Sequence, residues 1–156
     1  KNDEEVGQDM MFASIFFFYH EMGHALVHQL DLPITGKEED AVDDMAALLL
    51  LENIEDGSGG VMIASMVQQF GELATKMEDM DSLPFWGQHS LDAHRMYHLI
   101  CMIYGSNTEA YAGLVGDDVL PKERADACPH EYKQRARNWQ RLMENHLKPE
   151  PEPEPA

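Results

Sequence analysis

The segment that decides the fold is Phe16-Phe-Phe-Tyr-His-Glu-Met-Gly-His-Ala-Leu-Val-His28, an apolar stretch that contains the pattern His-Glu-x-x-His. Its apolar character favours a long helix, in which side chains four positions apart lie on the same face. His20 and His24 therefore lie at a spacing that lets two imidazoles hold one Zn²⁺. Glu21 lies about 100° further round the helix, where its carboxylate can take a proton from water beside the metal. Gly23 leaves room beside the metal.

Histidines on a helix can also be solvated or hydrogen-bonded residues that bind no metal. The surrounding residues, 10–32, are strongly apolar. Burying two imidazoles and a carboxylate in such a helix without a partner costs free energy. The motif and its context together therefore favour a zinc site.

The composition limits the classes of function. The chain has 156 residues, is 44% hydrophobic and carries a formal net charge of −18. This length predicts one domain with a hydrophobic core, and the negative charge argues against nucleic acids and anionic membrane surfaces as partners. No apolar run approaches the roughly 18 residues of a membrane-spanning helix, so no membrane span is expected.

The hydrophobic periodicity and the loop residues predict a mainly helical fold with little or no β-sheet. Pro33 ends the first helix, and Thr35-Gly-Lys-Glu38 has the form of a capping box that opens the second. The predicted helices and helical turns span residues 8–31, 37–53, 61–80, 90–104, 121–127 and 129–147. Residues 1–7 are predicted to be a flexible N-terminus, 8–147 the folded domain, and 148–156, rich in Pro and Glu, a disordered tail.

A catalytic zinc needs a third protein ligand, and the acidic segment that opens the second helix supplies candidates. Glu39 and Asp43 share a helix face. Glu39 can then bind the metal, while Asp43 accepts a hydrogen bond from the other nitrogen of a ligating histidine. Asp40 and Asp44 form a competing pair at the same spacing. Stabilisation of a helix N-terminus accounts for only some of these charges, so we predict Glu39 as the ligand and Asp43 as its supporting residue.

The motif and several later segments resemble the metallopeptidase family DUF4344. The segments that carry the resemblance are the motif with Leu32-Pro-Ile-Thr-Gly-Lys-Glu-Glu-Asp-Ala-Val-Asp43, and residues 89–95, 101–105 and 120–128. The resemblance covers most of residues 12–147 and implies a zincin-like metallopeptidase domain. The wider group resembles the gluzincins, whose third zinc ligand is a Glu on the helix after the motif, which again indicates Glu39. Members resemble exported bacterial proteins, which implies a secreted protein of the periplasm or the extracellular space.

One feature departs from the zincin pattern. Zincin-like peptidases place a small sheet before the motif helix, and its edge strand holds the substrate as an added strand. Here the predicted helix begins near Gln8, which leaves too few residues before it for a sheet. Either the chain is a fragment, or the active site is built from helices alone. Cys101 and Cys128 can pair with each other, stay reduced in the core, or have a partner in a missing segment.

The resemblance implies hydrolysis of peptide bonds in a peptide or protein substrate. Zn²⁺ held by His20, His24 and Glu39 activates a water molecule, and Glu21 acts as the general base. The oxyanion of the reaction needs a further donor. His89, Arg95 and Tyr97 are candidates near the start of the fourth predicted helix, and we choose His89.

The other histidines are assigned no part in the chemistry. His94 and His98 share a helix face but lack a nearby acidic helper, so we interpret them as surface or core residues. His28 extends the stripe of His20 and His24 by one turn and is interpreted as a structural or supporting residue.

Two other classes of function compete with a peptidase. One is a non-catalytic helical interaction module that zinc stabilises, and the other is an acidic helical interaction domain without a metal. Glu21 favours the peptidase over the first, because a purely structural site has no use for a carboxylate between the two ligands. Zinc content separates both zinc-binding hypotheses from the third.

Overall fold

The protein is almost entirely helical in the computed structural model, which describes residues 2–54, 56–75, 83, 87–116 and 119–147. The described residues form no sheet, and isolated bridges join Val115 and Gly116 to Leu120. The helices are α1 (Asp3–Gln29), α2 (Glu38–Asn53), α3 (Ser58–Thr75), α4 (Asp92–Ser106), α5 (Lys122–Ala125) and α6 (Cys128–Met143). The predicted mainly helical fold is confirmed.

Helix α1 begins at Asp3 rather than at Gln8, because a capping box fixes its first turn. The side chain of Asn2 accepts a hydrogen bond of 2.9 Å from the backbone N–H of Glu5, and the Glu5 carboxylate accepts one of 2.9 Å from the backbone N–H of Asn2. Together these bonds satisfy backbone donors that a helix start would otherwise leave free. Residues 3–7, which the sequence placed in a flexible N-terminus, are therefore helical.

Helix α2 is central, since α1, α3, α4 and α6 all pack against it. Its residues 42–48 are buried, including two aspartates that consequently need partners from neighbouring helices. The predicted capping box is absent: Lys37 is the N-cap, and no side chain caps the helix. Glu38 Oε1 lies instead 2.7 Å from Nδ1 of His24 on α1. A tertiary partner has thus replaced the local cap.

The remaining helix boundaries differ from the predicted ones by a few residues. Helix α3 begins three positions before residue 61, and its predicted end at residue 80 lies outside the described residues. Helix α4 continues past residue 104 to Ser106, and α6 ends at Met143 rather than at residue 147. The predicted tail, residues 148–156, also lies outside the described part of the chain.

The buried apolar side chains form two clusters. The larger includes Phe16 of α1, Leu50 of α2 and Ile63 of α3 and extends to α4 and α6. The smaller surrounds a disulfide that joins Cys101 of α4 to Cys128 of α6. The two cysteines therefore pair with each other. None of the described helices is long and apolar enough to cross a membrane.

Gly23 lies at a close approach of α1 to α2. A Cβ atom at this position would lie 2.8 Å from Cβ of Val42 and 3.1 Å from the Met45 methyl group. The Val42 atom is attached directly to the backbone and cannot move aside. The absence of a side chain at Gly23 therefore serves helix packing, and not space beside a metal as the sequence suggested.

Gly23→Ala is expected to lower the free energy of unfolding by about 1–3 kcal/mol, as overpacked core positions do. Chemical unfolding followed by circular dichroism measures this change. Gly7→Ala is the matched control, because Gly7 lies on the same helix and a Cβ atom there would have nothing within 4 Å. The control is expected to raise stability by about 0.5–1 kcal/mol, the helix preference of Ala over Gly. Equal stability of Gly23→Ala and the wild type would contradict the close packing.

Candidate metal centre

The two histidines of the motif lie where α1 packs against the first turns of α2. His20 is buried on the same stripe of α1 as Phe16 and Val27, and His24 is partly buried one turn later. Their rings lie edge to face, with centroids 5.0 Å apart. Glu39, in the first turn of α2, is partly buried beside them.

The side chains of His20, His24 and Glu39 converge on one point. Glu39 Oε2 lies 3.3 Å from His20 Nε2 and 3.5 Å from His24 Nε2. One ligand atom from each of the three residues lies within 4.8 Å of the others. The structure therefore brings together the three predicted ligands. Two of them lie on α1, and the third lies on α2, beyond the turn that joins the two helices.

The other ring nitrogen of each histidine lies against a carboxylate. His20 Nδ1 lies 2.7 Å from Asp43 Oδ1, and His24 Nδ1 lies 2.7 Å from Glu38 Oε1. A carboxylate accepts hydrogen bonds, so the neutral rings carry their protons on Nδ1 and present a lone pair at Nε2. This is the tautomer that a metal-binding histidine needs.

The donor set is suited to a cation. Two Nε2 lone pairs and a carboxylate oxygen face one another, and acceptors arranged in this way repel each other unless a positive charge lies between them. Glu39 Oε2 is buried and makes no well-aligned hydrogen bond to a described residue, although His89 Nε2 lies 2.9 Å away. Two imidazole nitrogens and one carboxylate oxygen are a ligand set that catalytic zinc sites use. The residues present therefore fit Zn²⁺.

Asp43, predicted as a supporting residue, lies at the centre of a buried network. Its Oδ2 accepts a hydrogen bond of 2.8 Å from Arg95 Nε, and its Oδ1 one of 2.8 Å from Arg95 Nη2. Burial raises the pKa of Asp43, but the hydrogen bonds from His20 and Arg95 and the charge of Arg95 outweigh it and hold the pKa below its usual value. Asp43 is thus an ionised hydrogen-bond acceptor for His20.

His24 lies in an acidic environment. Burial lowers its pKa, but the hydrogen bond to Glu38 and the charges of Glu39, Glu38 and Glu21 together raise it above the usual value. Glu21, the predicted general base, precedes His24 by three positions on the same helix. The side chain of Glu21 is exposed to solvent.

His89 lies at the edge of the centre. Its Nε2 is 2.9 Å from Glu39 Oε2, and its side chain is 57% exposed. Lys37 Nζ lies 3.3 Å from the backbone carbonyl of His89, which ties this segment to the start of α2. A cavity of about 620 Å³ adjoins the cluster, lined by His24, His28, Lys37, Glu38, Glu39, Gly87 and Gln88.

Arg95 and Tyr97, the other two oxyanion candidates, are placed differently. Arg95 is buried, and its guanidinium is engaged by Asp43 and the Phe70 ring, so it does not point to a substrate. Tyr97 is exposed on α4. His89 is therefore the candidate that the structure places beside a predicted ligand.

The competing acidic pair has other partners. Asp40 accepts a hydrogen bond of 3.0 Å from the Ser90 hydroxyl. Asp44 Oδ1 lies 2.6 Å from His98 Nε2, and its Oδ2 lies 3.2 Å from Arg135 Nη1. The expectation that His98 lacks an acidic partner was therefore wrong. The partner lies 54 positions away in the chain, so no local pattern revealed it.

The sequence did not reveal the positions of Glu38 and Arg95 in the site. Glu38 belongs to the acidic run that supplied the other candidates, and its spacing to the histidines could have indicated it. Arg95 is 52 positions from Asp43, and nothing in its local sequence signals the contact.

Comparison with known proteins identifies a family. The family model DUF4344, described as "Putative metallopeptidase", matches residues 1–143. Neither a curated protein nor a solved structure matches the chain.

Proposed function

This chain belongs to the DUF4344 family, and on that premise we propose that it is a zinc-dependent peptidase. The observation that carries the proposal is the convergence of the Nε2 atoms of His20 and His24 on the buried carboxylate oxygen of Glu39. His20, His24 and Glu39 would hold the metal. The proposed substrate is a peptide or a protein, which binds along the cavity next to the cluster.

Bound Zn²⁺ would supply a Lewis acid that lowers the pKa of water and polarises a peptide carbonyl. The other tasks fall to side chains of this chain. Glu21, exposed next to His24, accepts the proton of the attacking water at its carboxylate and then delivers it to the leaving nitrogen. His89, exposed at the edge of the cluster, donates a hydrogen bond to the oxyanion from its Nε2.

The side chains behind the histidines keep them ready to bind. Asp43 and Glu38 hold the Nδ1 protons of His20 and His24, so both Nε2 atoms keep their lone pairs. Hydrogen bonds of this kind fix the ring planes before the metal binds. Metal binding then requires little loss of side-chain entropy, because the ligands are already ordered.

The disulfide bears on the location of the protein. Cys101 and Cys128 form it between α4 and α6, and structural disulfides persist mainly in oxidising compartments. It supports the proposal that the protein is exported to the periplasm or the extracellular space.

The proposal is tested by measuring zinc and activity on the same purified protein. Elemental analysis is expected to give about one zinc per chain, and a peptide library is expected to be cleaved. A chelator should abolish cleavage and lower the melting temperature, and added zinc should restore both.

The possible results separate the three hypotheses. Zinc without cleavage of any peptide would favour the zinc-stabilised interaction module, in which the metal only ties α1 to α2. A protein that takes up no zinc even after incubation with the metal would overturn the peptidase and leave the acidic helical interaction domain as the better account.

A further inference from the structure

We infer that Arg95 is a positioning residue of the metal centre, which acts through Asp43 on the imidazole of His20. The inference rests on the proposed function, since it assumes that His20 binds a metal. It adds to that function a residue on α4, a helix that supplies none of the three ligands.

The contacts form a continuous chain from Arg95 to the ligand atom. Arg95 binds both oxygens of Asp43, each at 2.8 Å, in the bidentate geometry that only a guanidinium offers. Asp43 Oδ1 is also the atom that lies 2.7 Å from His20 Nδ1. Since two bonds fix the plane of the carboxylate, the carboxylate in turn fixes the rotation of the His20 ring and the direction of Nε2.

Arg95 is itself held in place. Its guanidinium lies over the Phe70 ring, 4.2 Å from the centroid, so α3 supports it from the other side. The side chains of Arg95 and Asp43 are 7% and 1% exposed. In such surroundings a carboxylate without a cation would be very costly, and neither partner can rotate into solvent. The chain Phe70–Arg95–Asp43–His20 therefore couples the packing of α3 and α4 to the metal centre.

The next residue of α2 offers an internal comparison. Asp44 also binds an arginine, Arg135 of α6, at 3.2 Å. Its other oxygen lies against His98, which is not one of the three predicted ligands. The two aspartates are adjacent in sequence, and only one of the two aspartate–arginine pairs contacts a ligand.

The test compares zinc affinity in Arg95→Lys and Arg135→Lys, measured by competition with a chelator of known affinity. Arg95→Lys keeps the charge but loses the bidentate contact to Asp43. It is expected to bind zinc about 10–100-fold more weakly, as when a ligating residue loses its hydrogen-bond partner. Arg135→Lys is expected to bind zinc like the wild type. A merely structural role would lower the melting temperature of both variants and change the zinc affinity of neither.

A double-mutant cycle shows whether Arg95 acts through Asp43. Asp43→Asn alone is also expected to weaken zinc binding about 10–100-fold. If Arg95 works through this carboxylate, the double variant Asp43→Asn/Arg95→Lys loses little more than Asp43→Asn. Full additivity of the two losses would overturn the inference.

The outcomes separate this inference from the proposed function. A wild type that binds no zinc would overturn both. A wild type that binds zinc, together with a folded Arg95→Lys of unchanged affinity, would overturn the inference alone. If Arg95→Lys does not fold, NMR of the zinc-loaded wild type decides: a slowly exchanging Arg95 Nε–H and His20 Nδ1–H support the inference, and rapid exchange of either overturns it.

Discussion

His24→Ala protein is expected to purify without zinc and to cleave no peptide that the wild type cleaves. The change removes one of the three atoms that converge on the proposed site, so the loss of zinc affinity should exceed the roughly 10–100-fold that follows removal of an outer hydrogen-bond partner. Elemental analysis and the chelator competition measure the affinity. His24 is only partly buried, so the variant is expected to remain folded.

His28→Ala is the matched control for this experiment. His28 lies one turn further along the same helix, its side chain is 73% exposed, and its Nε2 is 3.5 Å from the carboxylate of Glu38. It is not among the three converging residues, and its variant should keep about one zinc per chain. Equal zinc content in the two variants would contradict the proposed ligand set, whether both lose the metal or both retain it.

Glu21→Gln is expected to keep its zinc and to lose peptidase activity by about 10²–10⁴-fold, the range that a general acid–base residue contributes. The amide is nearly the same size as the carboxylate but cannot accept the proton of the attacking water. Glu21 lies on the surface of α1, so stability should change little. The comparison of kcat/KM with zinc content on the same sample measures the effect.

Glu4→Gln supplies the control for the loss of one negative charge on α1. Glu4 is exposed in the first turn of the helix, far in sequence from the motif, and this variant should keep both zinc and activity. Full activity of Glu21→Gln would remove Glu21 from the mechanism. Loss of zinc from Glu21→Gln would instead assign Glu21 to metal binding.

The sequence predicted the features that depend on short-range geometry. The spacing of His20 and His24 on one helix face follows from 3.6 residues per turn, whatever the rest of the chain does. The first helix ends at Gln29, two residues before the predicted end, and Asp31 with a φ of 51° has already left the helix before Pro33. The position of Glu39 follows from the short turn that comes next. The capping box at Asn2 and Glu5 could also have been predicted from the sequence. It was missed because the start of the helix was placed where the apolar residues begin.

The tertiary structure decided which face each helix turns to its neighbours. Thr35 and Glu38 match the sequence pattern of a capping box. Glu38 lies against His24 instead, because the imidazole on α1 competes with the backbone N–H that a capping box would use. From the sequence, Gly23 was interpreted as leaving space beside a metal. In the structure that space is taken by Val42 of α2. Local sequence could not distinguish these alternatives, since each is compatible with the same helix.

The sequence by itself thus determined the helical class and the candidate ligands, which lie on two consecutive helices and are close in the chain. Only the tertiary structure decided how those ligands are held. Arg95 is 52 positions from Asp43, and Cys128 is 27 positions from Cys101. Contacts at such separations have no period and no fixed spacing in the chain. The contact between Arg95 and Asp43 arises because a carboxylate buried in the central helix demands a cation, and the packing of α4 decides which cation lies beside it.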